Sequence, residues 1–153
     1  MCGFVGFRSS GPSREGGDVL ALAMADRIRH RGPDDGGVWF DAEAGFAVAH
    51  RRLSILDLSP AGHQPMRSNS GRWVLAYNGE VYNHLDLRRH LAGEGAAPVW
   101  RGHSDTETLL ACFEAWGVER TLQACVGMFA IALWDRSERR LILARDRVGE
   151  KPL

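Results

Sequence analysis

The residue with the most reactive side chain is a cysteine at the second position, in the opening stretch MCGFVGF. The small neighbour Gly3 does not hinder removal of Met1, which would leave Cys2 with both a thiol and a free α-amine. The reference pKa values of an α-amine and a thiol differ by about one unit or less, so the amine can accept the thiol proton. Such a nucleophile brings its own base. The alternative is a small, buried residue at the start of a strand, and position alone favours it.

The stretch YNGE offers donors for the oxyanion that forms when a nucleophile attacks an amide. Asn78 has a side-chain amide, and Gly79 has a backbone N–H that no Cβ shields. Asn-Gly is also the strongest signal for a two-residue hairpin turn, and the apolar flanks 74–77 and 81–82 fit such a hairpin. The residues alone leave both interpretations open.

Charged side chains in two other stretches are suited to the ends of an amino acid. HRRLSIL contains Arg51 and Arg52, and arginine is a planar, bidentate ligand for a carboxylate; a pair of surface cations is the alternative. In SDTE, Ser104 and Glu107 fit a helix capping box. The carboxylate of Asp105 is not used by that cap, so it either favours the helix dipole or holds an ammonium group.

The remaining candidates indicate core and loop positions rather than a metal site. Cys112 and Cys125 lie in apolar, helical contexts, and three cysteines without a CxxC motif favour neither a disulfide framework nor a zinc site. The six histidines form no HxxxH or HxH pattern. HRGPDD is a tight turn in which Arg31 and Asp34 either pair with each other or form the wall of a site.

Length and composition are typical of one globular domain. The chain has 153 residues, of which 19 are basic and 19 acidic, so no charge excess predicts binding to nucleic acid or to a membrane surface. No apolar run approaches a membrane span, and the first residues lack the basic region of a signal peptide. We expect a cytoplasmic, reduced protein.

Hydrophobic periodicity predicts the elements that position these residues. Helices are expected at about 18–29, at 84–93 and from 104 to a stop at Gly117. Strands are expected at 2–7, 38–40, 45–56, 72–83, 127–135 and 139–146, with a loop at 59–66.

The strand at 127–135 indicates how the layers stack, because both of its faces are apolar. Its faces carry Met128, Ala130, Ala132 and Trp134 on one side and Phe129, Ile131 and Leu133 on the other. An antiparallel sheet normally exposes one face to water. We therefore predict an α+β fold in which two sheets lie inside two helical layers.

The order of these motifs resembles the class II, N-terminal-cysteine glutamine amidotransferase domain of asparagine synthetases. The matching stretches are MCGFVG, HRGPDDGG, HRRLSILDLS, HQPM, YNGEVYNH, SDTETLL, GMFAIALWD and ARDRVGEKPL. They cover essentially the whole chain, 1–153, and HRGPD and RDRVGEKPL discriminate this group from other amidotransferases of the class. The resemblance implies a four-layer αββα sandwich of the N-terminal-nucleophile hydrolase type, with two mostly antiparallel sheets between helices.

The resemblance also implies a role for each catalytic residue. After loss of Met1, Cys2 would attack the side-chain amide of L-glutamine, release ammonia and form a thioester that water hydrolyses to glutamate. Asn78 and Gly79 would form the oxyanion hole. No cofactor or metal is implied for this domain.

Substrate binding is implied for a second set of residues. Arg52, rather than its neighbour Arg51, would bind the α-carboxylate of glutamine, and Asp105 would bind the α-ammonium. The backbone of Leu53, Ser54, Ile55 and Leu56, together with Glu80, would complete the pocket.

The resemblance further implies partners outside the sequence. We expect a C-terminal synthetase domain after DRVGEKPL, which would use ATP and Mg²⁺ to activate aspartate for asparagine synthesis, and we allow for a homodimer. One alternative is the same glutaminase chemistry serving a different amide-forming acceptor. The other is a degenerate regulatory domain, which the presence of Cys2 disfavours.

Overall fold

Two antiparallel sheets form the centre of the fold in the computed structural model, which describes residues 2–9, 16–55 and 57–153. The helices are α1 (Gly17–Asp26), α2 (His84–Gly93) and α3 (Asp105–Ala124). The strands are β1 (Gly3–Arg8), β2 (Asp35–Asp41), β3 (Phe46–Arg52), β4 (Met66–Arg67), β5 (Trp73–Val81), β6 (Gly127–Asp135) and β7 (Arg140–Arg145). Two short 3₁₀ turns occupy Arg29–Arg31 and Pro60–Gly62.

The sheets differ in the strands that carry candidate site residues. The three-stranded sheet has the order β1-β3-β2, so β1 lies at its edge. The four-stranded sheet has the order β4-β5-β6-β7, so β5 lies inside it. Cys2 immediately precedes the edge strand β1, whereas Asn78 and Gly79 lie within the internal strand β5.

Three hydrophobic clusters define four layers. Helix α1 covers the outer face of the three-stranded sheet through Ala21 and Ala25, which pack against Ala47 and Ala49. The cluster between the two sheets comprises Phe46, Val48, Val74, Ala76, Ala132 and Trp134. The largest cluster packs α2 and α3 on the outer face of the four-stranded sheet and includes Leu75, Tyr77, Leu87, Leu109, Phe113, Phe129, Ile131 and Leu133. The predicted αββα order is confirmed.

Strand β6 confirms the argument that led to this order. Ala132 and Trp134 face the other sheet, where the Trp134 ring stacks on Phe46 with ring centroids 4.3 Å apart. Phe129 and Ile131 face the helices. Each face is therefore buried by a different kind of layer, as two apolar faces require.

The strand predicted through the Asn-Gly pair is confirmed, because β5 continues through it and Gly79 lies opposite Phe129 of β6, so the hairpin alternative does not apply. Other local predictions need correction. Gly117 does interrupt α3 with φ 75°, but helical structure resumes and ends at Ala124. The strand predicted for 45–56 ends at Arg52, and the predicted loop 59–66 contains a 3₁₀ turn and the start of β4.

The start of α3 is capped in part as predicted. The Ser104 side chain accepts the Glu107 backbone N–H at 3.2 Å. The Glu107 carboxylate does not complete the box; it accepts the backbone N–H groups of Arg101 at 2.8 Å and Gly102 at 3.1 Å instead. The cap therefore also fixes the loop that leads into the helix.

The two downstream cysteines are core residues, as predicted. Cys112 and Cys125 are fully buried free thiols in the cluster beneath α3. Burial raises the pKa of each thiol to about 12, so neither is a reactive thiolate at neutral pH. Among the helices that the structure describes, none is long and apolar enough to span a membrane.

Candidate active site

One cavity collects most of the predicted site residues at the point where the ends of β1, β3 and β5 approach the start of α3. The predicted residues that line it are Cys2, Arg52, Leu53, Ile55, Asn78, Gly79, Glu80 and Asp105. Ser54 is not among the lining residues. Leu56 lies outside the described residues.

Cys2 is fixed in this cavity by its neighbours on two sides. The Leu53 backbone N–H donates to Cys2 Sγ at 3.3 Å, and the thiol lies 3.5 Å from the Leu53 carbonyl oxygen. Arg31 Nε–H donates to the Cys2 carbonyl at 3.1 Å. The side chain is half-buried, so the thiol is held in place yet remains accessible from the cavity.

The loop HRGPDD contacts residues that carry the site, but none of its own residues lines the cavity. Its Arg31 holds the backbone of Cys2, and its Asp34 accepts the Ser54 backbone N–H at 2.8 Å. The loop therefore ties Cys2 to the segment that follows β3. Arg31 and Asp34 thus support the residues of the site without lining the cavity.

Asn78 and Gly79 present donors to the cavity because of their positions in the hydrogen-bonding pattern of β5. Phe129, opposite Gly79, has its N–H and C=O bound by Asp146, at 3.1 and 2.8 Å. The backbone groups of a non-bonded antiparallel pair point away from each other. The Gly79 N–H therefore points away from β6, towards the side on which β4 has already ended at Met66–Arg67.

The Asn78 side chain is available in the same region. Asn78 is 5% exposed and lines the cavity, and its amide makes no side-chain hydrogen bond to any residue that the structure describes. A Cβ on Gly79 would lie 2.1 Å from the Met128 carbonyl oxygen, so only glycine permits this approach of the strands. The Asn-Gly pair thus serves strand packing and donor placement together.

The structure distinguishes the environments of Arg51 and Arg52, which the residue types alone could not do. Arg51 forms an ion pair with Asp26 of α1. Arg52 lines the cavity, is 7% exposed, and donates through Nη1 to the Ser59 carbonyl at 3.2 Å and through Nη2 to the Asp57 carbonyl. A guanidinium has five N–H donors, so these contacts orient the group without using all of them.

Asp105 supplies the opposite charge. It is 4% exposed at the first position of α3, and its Oδ2 accepts hydrogen bonds from the Tyr77 hydroxyl at 2.6 Å and the Val81 backbone N–H at 2.9 Å. Its carboxylate is therefore bound to β5 as well as to the helix start. The cavity is therefore lined by a buried cation at the end of β3 and a buried anion at the start of α3.

Some lining residues were not predicted from the sequence. They are Asp57, Gly62, Gln64, Tyr77, Ser104, Thr106, Met128 and Lys151. Gln64 lies in HQPM and Lys151 in RDRVGEKPL, so both stretches were identified by resemblance without any role for these side chains. Several of them lie on loops that are distant in sequence and meet only in the folded protein. Residue spacing therefore could not identify them.

The Asp146 carboxylate brings the last residues to the cavity. It accepts the backbone N–H groups of Phe129, Val148, Glu150 and Lys151 at 2.8 to 3.2 Å. Burial raises the pKa of Asp146, but these hydrogen bonds outweigh that effect and hold it at about 2. The ionised carboxylate folds 148–151 back so that Lys151, which is 5% exposed, lines the cavity.

Replacing Gly62 by alanine is expected to disturb the side of the cavity at which Arg52 lies. The new Cβ would lie 2.0 Å from Arg52 Nη2, so the guanidinium must move. Because that motion is cheap for a flexible side chain, we expect a change in thermal midpoint of only a few degrees, with KM for a carboxylate-bearing substrate raised about tenfold. Steady-state kinetics and thermal melts check this, with Gly93→Ala as the control because no atom lies within 4 Å of that Cβ. An unchanged KM would contradict the placement of Arg52.

The arrangement is suited to acyl transfer from a small amino-acid amide. It combines a thiol, an amide and a backbone N–H that can stabilise an oxyanion, and buried charges of both signs, among them Arg52 and Asp105. Within the described residues, no group of three or more His, Cys, Asp or Glu side chains could hold a metal ion.

Comparison with known proteins supports the same chemistry. The family model of the glutamine amidotransferase domain matches residues 1–153. The chain is similar to a putative glutamine-hydrolysing asparagine synthetase of Mycobacterium tuberculosis, with 42% identity over 167 residues that cover 100% of the chain and 25% of the relative. It is also similar to asparagine synthetase 2 of Bacillus subtilis, with 38% identity over 155 residues, again 100% of the chain and 20% of the relative.

Asparagine synthetase B of Escherichia coli shows 41% identity over 133 residues, which cover 87% of the chain and 23% of that protein. The chain thus spans a quarter or less of the length of these curated relatives. Because the family match covers every residue, the chain belongs to the glutamine amidotransferase domain family.

Proposed function

We propose that this domain hydrolyses L-glutamine to glutamate and ammonia through a thioester on Cys2. The observation that carries the proposal is the presence in one cavity of Cys2, Asn78, Arg52 and Asp105. Glutamine has an amide, a carboxylate and an ammonium group, and the cavity offers a chemically matched partner for each.

The reaction proceeds in two acyl transfers. The Cys2 amine, freed by loss of Met1, takes the thiol proton, and Sγ attacks the side-chain carbonyl carbon of glutamine. The Asn78 amide and the Gly79 N–H stabilise the oxyanion of the tetrahedral intermediate. The C–N bond breaks, the amine returns its proton to the leaving nitrogen, and ammonia departs. Water then attacks the thioester, which releases glutamate and regenerates the thiol.

The two ends of the substrate define its orientation. Arg52 binds the α-carboxylate and Asp105 binds the α-ammonium, so the side chain extends towards Cys2. Backbone groups between Leu53 and Leu56 and at Glu80 complete the pocket. Holding the reacting carbon beside the thiol in this way contributes to rate because the orientation is fixed before the chemical step.

For the whole protein we propose that the ammonia serves asparagine synthesis. The relatives are named glutamine-hydrolysing asparagine synthetases and are four to five times longer than the matched region. A C-terminal synthetase domain would use ATP and Mg²⁺ to activate aspartate, whereas the glutaminase reaction above requires no cofactor. A homodimer and a cytoplasmic location remain predictions from the sequence.

Ammonia release and intact mass together test the proposal. We expect the purified protein to lack Met1 by mass spectrometry and to release ammonia and glutamate from L-glutamine in equal amounts. A folded protein that retains Met1 and is nevertheless fully active would contradict the role of the free amine. A folded protein that lacks Met1 and releases no ammonia would contradict the glutaminase assignment.

A further inference from the structure

Tyr77 makes hydrogen bonds to three separate parts of the chain. Its hydroxyl donates to Asp105 Oδ2 at 2.6 Å, its backbone N–H donates to Gln64 Oε1 at 2.8 Å, and its carbonyl lies 2.9 Å from His50 Nε2. The residue is 2% exposed and immediately precedes Asn78 in β5. Every polar group of Tyr77 thus has a partner, and each partner belongs to a different part of the chain.

The hydrogen bonds to Asp105 are unequally distributed over its two oxygens. Oδ2 accepts both the Tyr77 hydroxyl and the Val81 N–H. Among the described residues, no hydrogen bond reaches Oδ1. A carboxylate has about four acceptor positions on its two oxygens. The tyrosine therefore immobilises one oxygen and leaves the other for a ligand in the cavity that Asp105 lines.

We propose that Tyr77 is a positioning residue for ammonium recognition, because its hydroxyl fixes the Asp105 carboxylate in the orientation that presents Oδ1 to the substrate. This inference rests on the proposed function, in which Asp105 binds the α-ammonium of glutamine. It assigns to Tyr77 a contribution to specificity for substrates that carry an amino group. Tyr77 itself does not touch the reacting atoms.

The protonation states of the neighbouring groups fit this role. Burial, and then the adjacent Asp105 carboxylate, raise the pKa of Tyr77 well above its ordinary value, so the phenol remains a donor. Burial lowers the pKa of His50 to about 4, so its ring is neutral and Nε2 can donate to the Tyr77 carbonyl. Tyr77 is held at both its backbone and its side chain.

Removal of the hydroxyl alone tests the inference. In Tyr77→Phe we expect KM for L-glutamine to rise about tenfold, which corresponds to about 1.4 kcal/mol, with kcat within about twofold of the wild type. Glutaramate, which is glutamine without the α-amino group, is expected to be hydrolysed with unchanged kcat/KM. The preference for glutamine over glutaramate should therefore fall about tenfold. Tyr82→Phe is the matched control, because Tyr82 is the only other tyrosine and is 58% exposed.

Equal losses of kcat/KM for both substrates would overturn the inference, since they would indicate a purely structural role. A wild-type protein that hydrolyses neither substrate would instead contradict the proposed function. If Tyr77→Phe does not fold, 3-fluorotyrosine can label both tyrosines in Cys2→Ala, with Tyr82→Phe to assign the two ¹⁹F signals. We expect glutamine to shift the Tyr77 signal and glutaramate to leave it in place. Identical shifts with both compounds would overturn the inference.

Discussion

Cys2→Ala is expected to reduce ammonia release from L-glutamine by roughly six orders of magnitude, which is to background, because the reaction loses its nucleophile. The fold should be unaffected, since the side chain is half-buried and, within the part of the chain that the structure describes, its sulfur hydrogen-bonds to the Leu53 backbone alone. A coupled glutamate dehydrogenase assay measures the rate, and a thermal melt checks the fold.

Cys112→Ala is the matched control for this variant. It removes a thiol that is fully buried and whose pKa burial raises to about 12, so kcat should stay within about twofold. Glutaminase activity in Cys2→Ala that equals the wild-type rate would exclude the thioester mechanism. Loss of activity in both variants would indicate that destabilisation of the protein, rather than removal of the nucleophile, causes the loss.

Asn78→Ala is expected to lower kcat about 100- to 1,000-fold, because one donor to the oxyanion is lost. The effect should appear mainly in kcat rather than in KM, since the oxyanion develops only after attack. Asn78 is 5% exposed and its amide makes no hydrogen bond to another described side chain, so the variant should remain folded.

Asn78→Asp removes the hydrogen-bond donor but keeps the shape of the side chain. The aspartate is nearly isosteric, but a carboxylate accepts and cannot donate, and its charge opposes the oxyanion. We expect a loss at least as large as in Asn78→Ala. Activity in Asn78→Asp close to that of the wild type would contradict the assigned donor, whereas Asn69→Ala, at an exposed position, should have no effect.

The layer order could be predicted because it follows from local patterns that the tertiary structure preserves. A strand whose two faces are both apolar must be covered twice, and β6 is covered by the other sheet on one face and by the helices on the other. The Ser104 cap was likewise visible because its partner lies three residues away. Helix α2 was predicted with its observed bounds, His84–Gly93.

Other features depend on contacts that no local pattern encodes. Asn-Gly has a strong preference for turns, but the pairing of β5 with β6 overrides it, so Gly79 serves close strand packing instead. The difference between Arg51 and Arg52 depends on the register of β3, which directs one side chain to Asp26 and the other to the cavity. Lys151 reaches the cavity only because Asp146 folds back the segment after β7.

The reacting groups lie on strands of unequal resistance to local opening. β5, which holds Asn78 and Gly79, pairs with β6 along its whole length and is buried between layers, so its amides that bond to β6 exchange with solvent mainly through global unfolding. Cys2 immediately precedes the edge strand β1, where the first residues can fray at far smaller free-energy cost. Mild denaturant should therefore displace the Cys2 thiol while Asn78 and Gly79 remain in place. Activity should be lost at a lower denaturant concentration than the fold.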